Sequence, residues 1–374
     1  MNEAAQAGKK RNPFRRRRGP ARNGATGPVL GAIDVGTNAC RLLIAVPSDG
    51  SAAAMPMVID SYAASVRLGE GLESGGILTD GALDRVVAAL IICSERLKRR
   101  GATHVRAVAT EACRQARTTQ TLIDRAQSEA GISLVVVSAE EEARLAAQGC
   151  LPLIGEDFDG ALIFDIGGGS TELILVKGTS GAPEILAWAS APIGVVTLAD
   201  RHGSHNLAAA SYEPMRDMLR ESFAALYQQL VPKDFQPARY HLLGTSGTLT
   251  TLAAVKLGLE RYNRNRIDGQ WLGRAEVLEI LDTITTRDFS GRADIPCIGQ
   301  DRADLILPGC AILSSIMDNW RSEHLRVADR GLREGLLIGL LKDARDGAKV
   351  RPRRRRRRGK RTAPTVQSAH GASS

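Results

Sequence analysis

The sequence predicts an α/β protein built from two related domains that face each other across a cleft. Strand-like and helix-like segments alternate through residues 29–345, the pattern of sheets covered by helices. One motif recurs at a constant offset of 131 residues. Charge is also segregated, with a mildly acidic body between two strongly basic ends.

The 374 residues suffice for two ordinary cores. Apolar residues make up 43% of the chain and aromatics only 4%, so Ala, Leu, Ile and Val must build those cores. Val29 to Asp34 reads as a strand, followed by a small-residue turn and a strand from Cys40 to Val46. Asp80 to Arg100 carries Leu83, Val86, Val87, Leu90 and Ile91 at helical spacing. Val105 to Ala109 and Leu134 to Val137 read as short strands, and a helix begins at Ala139. Ala161 to Asp165 and Leu173 to Val176 form a second strand pair. Segments 214–230, 247–257, 274–284 and 302–318 are helical, Tyr240 to Leu243 is a buried strand, and Leu332 to Leu341 is a terminal helix.

The repeat pairs Asp34-Val-Gly-Thr-Asn-Ala-Cys-Arg-Leu42 with Asp165-Ile-Gly-Gly-Gly-Ser-Thr-Glu-Leu173. Each copy is strand, Asp, small-residue turn, strand. Two copies this far apart indicate two related domains, not a solenoid.

Residues 1–28 carry +7 and residues 346–374 carry +9, which leaves −7 for 29–345 out of a total of +9. Like-charge runs such as Arg15 to Arg18 and Arg353 to Arg358 repel themselves, so both ends are expected to be disordered. The six cysteines form no C-x-x-C pair, no apolar stretch follows the basic start, and no 18-residue apolar run exists. These features point to a cytoplasmic protein with free thiols and no membrane span. A P-loop signature is absent, which removes that class of nucleotide enzyme.

The second loop is suited to phosphate. Gly167, Gly168 and Gly169 allow positive φ and close approach to a ligand, a turn of exposed N–H groups attracts anions, and Ser170 and Thr171 add hydroxyl donors. Asp165 and Glu172 at its ends suit a hard cation, so Mg²⁺ fits better than zinc. The first copy offers Asp34, Gly36, Thr37 and Asn38 for the same work, with Asp34 as a further metal candidate.

The two loops resemble the phosphate motifs of the actin-like superfamily. Further segments are similar to the exopolyphosphatase/guanosine pentaphosphate phosphohydrolase family: Arg67-Leu-Gly-Glu-Gly71, Ala107-Val-Ala-Thr-Glu-Ala-Cys-Arg114, Ser138-Ala-Glu-Glu-Glu-Ala-Arg144, Gly244-Thr-Ser-Gly247, Asp301-Arg-Ala-Asp304 with Pro308-Gly309, and Gly331-Leu-Arg-Glu-Gly335. The resemblance covers about residues 29–345. It implies two actin-like (ribonuclease H-like) domains with the active site between them. The first would span 29–152 and be completed by helix 332–345, and the second would span 153–331. The sequence departs from the family at Thr118, where an Asn is usual, and a basic tail stands where long members carry a further helical domain.

The resemblance also implies a water-activating glutamate in the Ser138 helix. Ser138 and Glu141 have the spacing of a capping box, and Glu140 can pair with Arg144. Glu142 has no local partner and stands at the family's catalytic position, so it is the expected general base. Arg114 stands where the family places a phosphate-binding arginine, and Arg67 could serve the same pocket. Thr245, Ser246 and Gly247 precede a helix whose N-terminal amides can hold a phosphate. Gly331 to Gly335 reads as a packing turn. The implied cofactor is Mg²⁺, with a monovalent cation as an optional companion, and a homodimer is the family's habit.

Inorganic polyphosphate and guanosine pentaphosphate both end in a phosphoanhydride, so the sequence leaves both open as substrates. A kinase of the same superfamily would lack the water-activating glutamate. A non-catalytic reading remains, in which the basic tails bind nucleic acid or another polyanion.

Overall fold

The computed structural model describes residues 27–48, 55–178, 183–203, 206–232 and 235–350. The expectation of disorder at the two ends falls largely outside these residues. Two sheets form the body. The first is a five-stranded sheet of β1 (Leu30–Val35), β2 (Ala39–Val46), β3 (Met57–Ser65), β4 (His104–Ala109) and β5 (Leu134–Val136), in the order β3-β2-β1-β4-β5. The second contains β6 (Gly160–Ile166), β7 (Thr171–Lys177), β8 (Glu184–Ala191), β9 (Tyr240–Thr245), β10 (Trp271–Gly273) and β11 (His324–Ala328), in the order β10-β11-β9-β6-β7-β8. Five positions of the two orders match, with β10 added at one edge of the second. The duplication read from the sequence is therefore a duplication of sheet topology.

The match extends to single bonds. Gly36 N–H donates to Ala39 O at 3.0 Å, and Gly167 N–H donates to Ser170 O at 2.9 Å. Asp34 lies opposite Arg41 in the first hairpin, and Asp165 lies opposite Glu172 in the second. Each hairpin then pairs in parallel with the next inner strand, β4 or β9.

Side chains alternate faces along a strand, and this alternation aims the loop residues. In β1, Ile33 and Val35 pack against helix α1 (Asp80–Arg100), whereas Leu30 and Ala32 pack under helix α8 (Leu332–Val350). In β6, Leu162 and Phe164 enter the large core of the second half, whereas Ala161 and Ile163 pack against helix α2 (Ala139–Cys150). Asp34 and Asp165 continue the second set in each strand. Both therefore point into the layer between the sheets.

That layer consists of α2 and α8. Ala143, Ala147 and Cys150, at helical spacing, put one face of α2 on the second sheet, while Leu145 joins Leu336, Leu337 and Leu341 of α8 over the first. The two helices cross at glycine. A Cβ on Gly149 would run into Gly331 O, and one on Gly335 would run into Leu145 O. The motif at 331–335 is thus the close-packing turn its glycines suggest. Helix α8 runs to Val350, past the expected end at 345.

The outer face of the second sheet is covered by α3 (Val195–Arg201), α4 (Tyr212–Leu230), α5 (Gly247–Lys256), α6 (Arg274–Thr285) and α7 (Ile306–Asn319). Each fully buried Leu, Ile or Phe there contributes about 1.5–3 kcal/mol. Helix α7 begins at Ile306, not 302, because residues 301–305 form turns first. The sequence reading missed β3, β8, β10 and β11. The edge strands β3 and β8 are largely exposed and lack clean alternation, and β10 and β11 are only 3 and 5 residues long. Among the described residues no helix is long and apolar enough to cross a membrane.

Candidate active site

The two hairpin turns meet in the layer between the sheets. A Cβ added to Gly168 would lie 2.9 Å from Thr37 Cβ and 3.0 Å from Asn38 N, and one on Gly169 would lie 2.6 Å from Thr37 Oγ1. None of Gly167, Gly168 and Gly169 has positive φ, so conformational freedom is not why glycine stands there. The reason is steric: the facing loop occupies the space a side chain would need at Gly168 and Gly169, and Ser170 O of the same turn lies 2.9 Å from a Cβ on Gly167. The Gly167 and Gly168 carbonyls also accept from Val195 N–H and Val196 N–H at the start of α3, at 2.9 and 2.8 Å.

The hydroxyls of the second loop turn inward. Ser170 Oγ donates to Glu172 Oε1 at 2.6 Å, and Ser190 Oγ donates to the same oxygen at 3.1 Å. Thr171 Oγ1 donates to Ile193 O at 2.7 Å, and strand alternation places it on the sheet's other face. Ser170 thus orients a carboxylate, and Thr171 is removed from the cleft. In the first loop, the buried Asn38 Oδ1 has no hydrogen-bond partner.

Glu142 is at the centre of the charged groups. Helix α2 starts at Ser138, whose Oγ accepts from Glu141 N–H at 3.1 Å. Glu141 does not close a capping box. Its carboxylate is taken by Arg106, and Arg144 approaches the same oxygen at 3.9 Å. The expected Glu140–Arg144 pair is therefore replaced by Glu141–Arg144. Glu142 points inward and receives Arg114 Nη1 at 2.6 Å. Arg114 spends its other donors on Glu111 Oε2, through Nε at 2.8 Å and through Nη2, and on Val137 O at 3.0 Å. The arginine expected on phosphate is thus a clamp on two glutamates. Thr118, the departure from the family pattern, accepts from Leu78 N–H at 2.9 Å and so ties the end of this segment to the neighbouring loop.

Burial raises the pKa of Glu142 well above the carboxylate range, and nearby Glu172 adds to the rise, with Arg114 opposing it. Burial first, and then Asp165, push Glu172 up to about 7. Burial pushes Asp165 up to about 6, with Arg41 opposing. Burial also raises Asp34, with Arg41 and Arg333 opposing. Four carboxylates, Glu172 buried and Asp34, Glu142 and Asp165 partly buried, share one region and resist ionising together, which is the condition a cation relieves. Sequence reasoning missed Glu111, Arg41 and Arg333. Glu111 was visible in the 107–114 motif and Arg41 in the repeat, opposite Asp34.

The remaining residues divide. Thr245 Oγ1 donates to Arg330 O at 2.6 Å and holds the return of the chain toward α8. Ser246, before α5, has φ 96° and ψ −178°, a conformation that favours glycine, and its buried Oγ has no partner. Gly247 faces open space. Arg67, on the loop after β3, pairs with Asp304 at 3.2 Å instead of facing the carboxylates.

The donors are all oxygen, and two buried polar atoms, Asn38 Oδ1 and Ser246 Oγ, lack partners, so the residues fit a hard cation with an oxyanion. Among the described residues no group of three or more His, Cys, Asp or Glu side chains could hold a metal by itself. A cation here would complete its shell from phosphate oxygens and water, as Mg²⁺ commonly does.

Comparison with known proteins agrees with this geometry. The model of the Ppx/GppA phosphatase family matches residues 45–344. The solved exopolyphosphatase of Cytophaga hutchinsonii is 27% identical, with a TM-score of 0.73, over 84% of this chain and 98% of that one. The Ppx/GppA family member of Aquifex aeolicus is 25% identical, with a TM-score of 0.69, over 84% and 98% of the two chains. The expected two-domain actin-like α/β fold holds.

Proposed function

The chain belongs to the Ppx/GppA phosphatase family of phosphoanhydride hydrolases, and on that premise we propose that it is an exopolyphosphatase with Glu142 as general base. One observation carries the assignment. Glu142 is the glutamate of its helix turn that points inward, and it stands within electrostatic reach of Asp34 and Glu172, one from each hairpin. Its neighbour Glu141 is committed to Arg106.

In this reading the terminal phosphoryl lies where the two turns meet. Amides of the hairpin turns and of the α5 start face its oxygens. Glu142 orients a water and takes its proton as the water attacks phosphorus, the bridging P–O bond breaks, and orthophosphate and the shortened polyphosphate leave. Arg114 fixes the rotamer of Glu142 and, through the ion pair, opposes the rise in its pKa that burial causes. Asp165 and Glu172, with Asp34 across the cleft, would hold Mg²⁺. When bound, Mg²⁺ supplies charge neutralisation for the transferring phosphoryl group.

Guanosine pentaphosphate presents the same terminal bond to the same groups, so one experiment treats both. Phosphate release is measured, with Mg²⁺, from long-chain polyphosphate and from guanosine pentaphosphate, for the full chain and for Glu142→Ala. We expect release from polyphosphate to fall by about 10³-fold in the variant. Release from guanosine pentaphosphate alone would transfer the site to that substrate. Undiminished release by folded Glu142→Ala would remove Glu142 from the role.

A further inference from the structure

The Arg67–Asp304 contact joins the two halves of the molecule directly, and each partner is fixed to its own half. Arg67 belongs to a loop stitched to the first hairpin turn. Val66 N–H and Arg67 N–H both donate to Asn38 O, at 2.8 and 2.9 Å, and Gly69 N–H donates to Thr37 O at 2.9 Å. Arg85 holds the same loop from α1, with Nε on Val66 O at 2.8 Å, Nη2 on Arg67 O at 3.3 Å, and Glu70 at 3.0 Å. Arg67 itself has φ 43°, a left-handed conformation that costs a non-glycine residue energy and persists only where its surroundings enforce it. These bonds are that enforcement. They set the direction in which the Arg67 side chain leaves the loop.

Asp304 belongs to the second half just as firmly. Its neighbour Ala303 is buried in the large core, where Ala303 O accepts from Arg292 Nε at 2.9 Å, and Ile306 and Leu307 begin α7 in the same core. The Asp304 side chain is 7% exposed and that of Arg67 33%. The pair is therefore shielded on one side and open on the other. It links a rigid loop that is bonded to Thr37 and Asn38 with a rigid helix start across the cleft. The same Thr37 and Asn38 touch Gly168 and Gly169. Any separation of the hairpin turns that moves the halves as rigid bodies must stretch this pair.

We propose that Arg67 and Asp304 form a latch that holds the cleft shut, so that this one ion pair sets the ratio of closed to open molecules. The positively charged half of the latch sits beside the first phosphate loop, so an incoming polyanion competes with Asp304 for the guanidinium. Arg67 is then a positioning residue of the closed state.

The test measures the distance between the halves and needs no activity, so it is independent of the substrate assignment. Nitroxides are attached at Lys98→Cys on α1 and Glu221→Cys on α4, both exposed, with Cys297→Ser as background. Interspin distances are measured by pulsed electron resonance for the parent, Arg67→Ala, the isosteric Asp304→Asn, their combination, and Arg67→Lys. We expect each single substitution to raise the open-to-closed ratio by about fivefold. The double variant should open no further than either single one, and Arg67→Lys should recover part of the closed population. Distance distributions unchanged in Arg67→Ala and in Asp304→Asn, with folding checked by circular dichroism, would overturn the latch. So would full additivity of the two substitutions.

Discussion

The first and second hairpins share a turn bond, a register and a position in their sheets, yet their inner faces carry different charge. The first sets Asp34 opposite Arg41, and the second sets Asp165 opposite Glu172. One copy thus partly neutralises its own aspartate, while the other sets a partly buried acid against a buried one. Backbone geometry was retained in both copies, and one side-chain position decides what each half contributes. The first half supplies a pocket wall of balanced charge, and the second concentrates negative charge.

Making the halves more alike should break the site. Glu172→Gln removes the second acid of the acidic hairpin while keeping its size and its bonds from Ser170 and Ser190. We expect kcat to fall by about 10³-fold, or about 4 kcal/mol in activation free energy. Arg41→Gln should cost less, about tenfold, because burial and not Arg41 dominates the shifts of Asp34 and Asp165. Equal losses in phosphate-release assays would contradict the division of labour.

The fourth strand of each half sharpens the comparison through stability. In register, Leu30 of β1 faces His104 and the equivalent Ala161 of β6 faces His241. His104 is half-exposed, whereas His241 is wholly buried. His241 accepts from Gly155 N–H at 3.1 Å, and Phe158 and Trp271 pack against its ring. Burial lowers its pKa from 6.5 to about 4. The folded state therefore holds the ring neutral while the unfolded chain takes a proton, so its contribution is complete above pH 6.5 and is lost as the pH falls toward 4. Denaturant melts at pH 7 and pH 4 should show His241→Gln losing less stability on acidification than the parent, by about 3 kcal/mol. His104→Gln should follow the parent curve, and a parent-like curve for His241→Gln would discard the explanation.

The smallest effect concerns the end of that strand. Ser246 corresponds to Ala109 of β4, but only Ser246 has a left-handed φ. Ser246→Gly should relieve that strain and, after the entropy cost of glycine, raise stability by about 1 kcal/mol. If the serine hydroxyl also meets substrate, KM should rise in the more stable variant. A destabilised variant would mean that the conformation is not strained.

Much of this molecule is legible in local pattern. The alternation of Leu30, Ala32 and Asp34 against Ile33 and Val35 sets which way the loop acids point, and the offset repeat sets that there are two such loops. Helix α1 was readable to its bounds, since a Thr79 cap and Gly101 at φ 67° bracket a periodic apolar face. Glu142 was singled out by the family resemblance and by elimination among three adjacent glutamates, but the grounds of that elimination differ in the structure: Arg106, 35 residues away, occupies Glu141, and Arg144 approaches Glu141 and not Glu140.

Long charged side chains defeat this reading because their reach exceeds the sequence neighbourhood. Arg114, expected on phosphate, is paired in this structure with Glu111 and Glu142. Arg67 looked like a second one and meets an aspartate 237 residues away. Gly168 and Gly169 of the second loop looked like a need for unusual backbone and are instead a need for empty space, which only the facing loop defines. The sequence alone determined the hairpin strands that carry the loops, the duplicated turns and the face on which each acid sits, because those follow from covalent geometry and period. Which charges pair, which glycines are indispensable and how the halves are held together were decided by tertiary structure, because each depends on a partner that the fold, and not the chain, brings near.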